Sequence, residues 1–129
     1  LTDLAIQRPA SIFDMAEHGG GRTALQWAVL KEMHQNGDSW FVSREGVPVG
    51  LFGIYPLGDG IGEAWFNVAE GAAKSMLALV RAIRLTLPAT DYREIVTICT
   101  TVEGARVAKA IGFQRSGACD IGEIWTWMH

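Results

Sequence analysis

Thr101-Val102-Glu103-Gly104-Ala105-Arg106-Val107-Ala108-Lys109-Ala110-Ile111-Gly112-Phe113 is the stretch that constrains this chain most. Val102, Ala105, Ala108 and Ile111 recur at helical spacing on one face, while Arg106 and Lys109 fall off it. Gly112 stands where a helix needs a residue that tolerates left-handed backbone. The spacing therefore predicts a short amphipathic helix that stops on Gly112 and turns at Phe113 into a strand. A helix joined to a strand through Gly-Phe has few uses, so the elements around it narrow the fold class.

Upstream, Arg93 to Thr100 reads as a strand buried on both sides, since Ile95, Val96, Ile98 and Cys99 leave little polar alternation. Before it, Glu70 to Leu87 has a period of 3.6, with Met76, Val80, Ile83 and Leu87 on one face, until Pro88 stops it. This predicts the longest helix and a parallel crossover from Trp65 to Ile98. Three strand-like runs come earlier, Ser39 to Arg44, Val47 to Tyr55 and about Ile61 to Val68, separated by Glu45-Gly46 and Gly58-Asp59-Gly60 as tight turns. They form an antiparallel meander. Arg22 to Gln35 is helical and ends at Asn36-Gly37, Ser11 caps a short helix through about Glu17, and Leu1 to Pro9 is a first strand. After Phe113, Phe113 to Arg115 and Glu123 to Met128 are strands. The order is β-α-α-β-β-β-α-β-α-β-β, in one α/β domain over residues 1–129, with a mixed, mainly antiparallel sheet and helices on both faces.

Composition excludes several classes. The chain has 129 residues, 49% of them apolar, which suits a single core, and a formal charge of -3, which opposes a nucleic-acid or anionic-membrane partner. No apolar run reaches the roughly 20 residues of a membrane span, and no basic stretch precedes an apolar segment at the N-terminus. A soluble cytoplasmic protein is the expectation. Cys99 and Cys119 have no partner spacing and read as free thiols, and no His, Cys or Asp cluster has the spacing of metal ligands, so no metal is expected.

The Gly-Phe helix and the element order resemble the GNAT superfamily of acyl-CoA-dependent N-acyltransferases. Its last helix reads roughly Asn-x-x-Ala-x-x-x-Tyr-x-x-x-Gly-Phe. Here Gly112-Phe113 fits, while Thr101, Gly104 and Ala108 stand at the Asn, Ala and Tyr positions. The hairpin Gly46-Val47-Pro48-Val49-Gly50-Leu51-Phe52-Gly53, followed by a strand with Trp65, is similar to a small phage-encoded GNAT-like group. The resemblance implies acetyl-CoA as co-substrate and a primary amine, on a small molecule or peptide, as acceptor. It also implies a pyrophosphate site at the start of the long helix, where the family reads Gln/Arg-x-x-Gly-x-Gly/Ala and helix amides favour an anion. Val68, Gly71 and Ala73 fall on those three positions. Gly71, Ala72 and Ala73 would offer amides, the Val68 end of its strand would bond the pantetheine arm, and Thr101 would stand in for Asn. Glu70 would repel a pyrophosphate placed there, and Lys74 would offset that charge if it curled back to the mouth.

Acyl transfer to an amine needs a base for the ammonium proton and benefits from an acid at the leaving thiolate. Glu63, at the start of the strand that feeds the long helix, is the first candidate base. His34 is the next, through its near-neutral pKa, although at a helix end it also suits a capping cation. Tyr55 or Tyr92 would replace the missing acid. Trp40, Trp65, Trp125 and Trp127 are core, acceptor-slot or dimer residues; an exposed Trp125/Trp127 pair on an edge strand would favour a homodimer. The competing expectation is an inactive GNAT-like binding or structural module, favoured by Val68, Glu70 and Ala108.

Overall fold

The structure, a computed structural model, describes residues 4–129. It contains β1 (Leu4–Gln7), α1 (Ile12–Gly19), α2 (Ala24–Asn36), β2 (Asp38–Arg44), β3 (Val47–Gly58), β4 (Ile61–Val68), α3 (Met76–Thr86), β5 (Glu94–Cys99), α4 (Val102–Ile111), β6 (Gln114–Cys119) and β7 (Gly122–Met128). Short 3-10 turns, Ala72–Ser75 and Leu87–Ala89, bracket α3. The strands make a seven-stranded mixed sheet in the order β1-β2-β3-β4-β5-β7-β6, flanked by the four α-helices. The expected class and element order are those observed; the part of the predicted first strand before Leu4 lies outside the described residues. Contacts divide the chain into two compact units. One holds the residues up to Tyr55 with Phe66–Leu79, the other Pro56–Trp65 with Val80–His129.

In the first unit the helix starts are held by side chains. Ser11 Oγ accepts from the Asp14 amide at 3.0 Å, and Thr23 with Gln26 forms a reciprocal capping box. Between β2 and β3, Glu45 (φ 51°) and Gly46 (φ 80°) are both left-handed, the geometry that lets a two-residue turn follow the twist of its strands. Trp40 stacks on Phe52 at 4.8 Å and Phe52 on Phe66 at 6.4 Å, while the Arg8 guanidinium lies 5.0 Å over Trp40. Gly50 is glycine for a local reason: a Cβ there would sit 3.3 Å from the Asn67 carbonyl oxygen and 3.6 Å from Leu79. The Gly46–Gly53 hairpin is thus built by turn and packing needs.

The predicted long helix is shorter at its start than its period suggests. Gly71 has φ 81°, outside any right-handed helix, so Glu70-Gly71 is a turn, Ala72–Ser75 is a 3-10 turn, and α3 begins only at Met76.

In the second unit β4 and β5 run parallel and β5–β7 and β7–β6 antiparallel. The end of α4 is a Schellman stop: Phe113 N–H donates to the Ala108 carbonyl at 3.0 Å and Gly112 N–H to that of Lys109 at 3.1 Å, with Gly112 at φ 122°. Both ends of α4 face one side of the sheet, since Cβ atoms built at Gly104 and Gly112 would meet Cys99 and Trp127. Arg84 of α3 donates to the Ala110 carbonyl, which puts the C-terminal part of α3 beside α4. Ile95, Thr97 and Cys99 face those helices and are buried. Glu94, Val96 and Ile98 alternate onto the opposite side, and Ile98 is 37% exposed. This corrects the expectation of a strand buried on both sides: within this unit the helices cover one. The strand after Phe113 is also longer than expected, because a register shift between Arg115 and Gly117 lets β6 continue to Cys119 through the Ser-Gly-Ala-Cys segment. β6 is the edge, and β7 with Trp125 and Trp127 lies inside it.

Candidate functional site

The start of α3 lies in the first unit. β4 ends at Val68, which is 46% exposed. The next amide, of Ala69, donates to the Val49 carbonyl at 2.8 Å and so anchors the loop to β3. Gly71 then reverses the chain, with open space beside its Cα. The Ala72 amide donates to the Ala69 carbonyl at 3.2 Å, and Ala72 and Ser75 are buried, whereas Glu70, Ala73 and Lys74 are exposed. The 3-10 turn therefore already engages Ala72 N–H. A cation that sequence reading passed over stands here: Arg44, at the end of β2, donates to Ser75 Oγ at 3.4 Å. The signal was available, because Arg44 precedes the Glu45-Gly46 turn and antiparallel pairing carries that end of β2 toward the end of β4. Lys74 and the exposed Glu70 thus bring charges of opposite sign to this loop.

Thr101 lies in the second unit as the N-cap of α4, its Oγ1 accepting from the Gly104 amide at 3.0 Å. That hydrogen bond satisfies one of the free amides at the start of α4. Thr101→Ala is expected to lower stability by about 0.5–2 kcal/mol, read as a shift in the urea midpoint, with little effect if the cap were immaterial.

Glu63 also lies in the second unit. The parallel ladder pairs Ile61 with Glu94, Gly62 with Ile95 and Glu63 with Val96, and stops there. In the next position Thr97 Oγ1 donates to the Ala64 carbonyl at 2.9 Å, so a buried side chain satisfies a carbonyl where the ladder ends. Register places Glu63 on the side of Val96, away from α4, and alternation puts Ile61 and Trp65 there too. Glu63 is part-buried, and among the described residues its carboxylate has no hydrogen-bond or ion-pair partner.

The other candidates have partners. Tyr55 donates to a Glu32 carboxylate oxygen at 3.2 Å. Desolvation, reinforced by that hydrogen bond and the charge of Glu32, holds its pKa above the ordinary tyrosine value. His34, in the last turn of α2, hydrogen-bonds the Ala10 carbonyl through Nε2 at 2.8 Å; since a carbonyl only accepts, Nε2 carries the proton. His18 stacks on Phe41 at 5.5 Å and lines a small cavity of about 50 Å³ with Leu51, Asn67 and Val68. Asp14, Glu17 and His18 share one helical turn, with ligand atoms within 4.8 Å of one another, and Asp14 already accepts from Ser11 Oγ.

In sequence, no protein-family model and no curated protein matches this chain. In structure, it is similar to a GNAT family acetyltransferase from Elizabethkingia anophelis with acetyl-CoA bound (TM-score 0.71, 11% identity, all of both chains). The fold is that of the GNAT acetyltransferases. The chain is also similar to the dodecameric spermidine N-acetyltransferase of Vibrio cholerae (TM-score 0.70, 10% identity, 99% of this chain and 95% of that one). An aminoglycoside acetyltransferase in complex with coenzyme A matches at TM-score 0.66 and 13% identity, over 98% of this chain and 95% of the other. No helix among the described residues is long and apolar enough to cross a membrane.

Proposed function

We propose that this GNAT-fold chain is an N-acetyltransferase that moves an acetyl group from acetyl-CoA to a primary amine. The observation that carries the reading is Glu63, a carboxylate with no partner among the described residues, on the helix-free side of the second unit, where the β4–β5 ladder stops. Glu63 takes the ammonium proton, the amine nitrogen attacks the thioester carbonyl, the C–S bond breaks to release CoA as a thiolate, and the second proton that the nitrogen sheds as the amide forms passes to water. The structural neighbours, two of which hold CoA or acetyl-CoA and two of which are named for spermidine and aminoglycosides, support this chemistry.

In this reading the start of α3 binds the pyrophosphate through the amides of Gly71 and Ala73, with Lys74 supplying positive charge. The open flank that Gly71 leaves beside its backbone supports an anion there. Position 108 on α4 is alanine and carries no hydroxyl for the departing thiolate, which in this reading takes its proton from water. The Gly46–Gly53 hairpin supports a place beside the phage-encoded group, and a cytoplasmic homodimer belongs to the same reading.

The second reading, an inactive module on the same scaffold, draws on Ala108 and on the Ala72 amide already held by Ala69. A thiol-release assay with acetyl-CoA and a panel of primary amines separates the two. Amine-dependent release of CoA with a mass gain of one acetyl group on the amine is expected. Absence of release with every amine, in protein that stays folded, contradicts the enzyme reading.

A further inference from the structure

Helix α2, in the first unit, is half uncovered. Of its thirteen residues only Leu30 is buried. Its contacts lie in the second half: Cβ atoms built at Gly19 and Gly21 would meet Leu30, and His34 bonds the Ala10 carbonyl. The first half carries Leu25, 75% exposed, and Val29, 50% exposed, four residues apart and so on one face, with Ala28 exposed beside them. A helix this short depends chiefly on burial of an apolar face, yet here the Thr23–Gln26 capping box fixes the start while the apolar side chains behind it stay in water. Large apolar side chains grouped on one exposed face mark a protein contact.

The charges around this patch select the partner. Arg22 stands just before the Thr23 cap, and Glu32 lies seven residues after Leu25 on the same face; both are exposed. Among the described residues the Arg22 guanidinium has no hydrogen-bond or ion-pair partner. Tyr55 Oη and Asn36 Nδ2 both donate to Oε2 of Glu32, which fixes the carboxylate and leaves its other oxygen open. The stripe therefore runs cation, Leu25, Val29, anion, and such a stripe is complementary to itself turned end for end. A two-fold axis at the level of Trp27 sets Leu25 of one copy against Val29 of the other, each about 3 Å along the helix from the axis. The same axis brings Arg22 of each copy within arginine reach of Glu32 of the other, and antiparallel helices set their dipoles head to tail.

We infer that the uncovered half of α2 is the contact surface for a second copy of this chain, packed antiparallel about a two-fold axis. Leu25 and Val29 of both copies leave water at its centre, and two Arg22–Glu32 ion pairs close its ends. The inference gives the homodimer its surface and does not depend on the acetyltransferase reading: an inactive module would dimerise in the same way.

Sedimentation equilibrium of the full chain tests it, with far-UV circular dichroism to show that each variant stays folded. The wild type is expected to dimerise with a Kd in the micromolar range, about 1–100 µM. Leu25→Glu, at a site that is exposed in the single chain, is expected to keep the helical signal and to weaken dimerisation at least about tenfold. Arg22→Glu and Glu32→Arg each set like charges against one another and are expected to weaken it at least about fivefold, whereas the double variant restores it to within about threefold of the wild type. A chain that is monomeric at every concentration overturns the assignment and leaves the face to a different protein. A dimer that Leu25→Glu leaves unchanged, or a double variant that associates no more tightly than the single ones, overturns it as well.

Discussion

Glu63→Gln is expected to slow acetyl transfer by about 10²–10⁴-fold, the contribution of a positioned general base. The substitution keeps the shape of the side chain and removes its ability to take a proton, so the loss falls on kcat and acetyl-CoA still binds. The position makes the prediction specific. Glu63 is the last residue of β4 paired to β5, and no other side chain among the described residues competes for its carboxylate. Tyr55 and His34 lack that freedom, one hydrogen-bonded to Glu32 and the other to the Ala10 carbonyl. Steady-state kinetics with a saturating amine check the result; a loss of less than about threefold would mean that the proton leaves by another route.

The second large effect concerns stability. Phe113→Ala is expected to cost about 3–5 kcal/mol, because the ring is 2% exposed and its removal leaves a cavity that the surrounding backbone cannot fully close. That loss is a large share of the about 5–15 kcal/mol that typically separates folded from unfolded domains. Phe113 is also the residue after the left-handed Gly112, and its amide closes the α4 stop on the Ala108 carbonyl. The hydrophobic contact between these two positions is the usual companion of that stop. Urea unfolding followed by circular dichroism measures the change, and a shift below about 1 kcal/mol would show that the Gly-Phe joint is not a core element.

The Gly-Phe joint was legible because its requirements are local. A left-handed stop needs glycine, and an apolar residue after it must be buried; both are written in two adjacent letters. The same holds for Glu45-Gly46 and for the Ser11 cap, where a turn type or an orphan amide selects the residue. The start of α3 was misjudged because hydrophobic period does not register the backbone angle of one glycine, and Gly71 at φ 81° delays the helix to Met76. The length of β6 was missed because the register shift past Arg115 depends on its pairing with β7. β5 looked buried on both sides because Val96 and Ile98 are apolar, and only the placement of α4 decides which side is covered.

The candidate site divides in the same way. That Glu63 shares a side with Ile61 and Trp65 follows from strand period alone. That it has no partner among the described residues and stands where the ladder stops depends on the parallel register, which no local pattern encodes. Arg44 beside Ser75 is a contact between residues 31 apart in the chain, yet the Glu45-Gly46 turn that follows Arg44 and the antiparallel pairing it starts already carry that end of β2 toward the end of β4.

The central claim is that this fold still binds acetyl-CoA at the start of α3, and isothermal titration of the purified chain with acetyl-CoA and free CoA tests it most directly. Micromolar binding is predicted, lost in Gly71→Glu, which sets a carboxylate on the open flank of the loop, and kept in Gly71→Asn, which tolerates the left-handed backbone without adding charge. No heat of binding at millimolar ligand, or binding that Gly71→Glu leaves untouched, would contradict it.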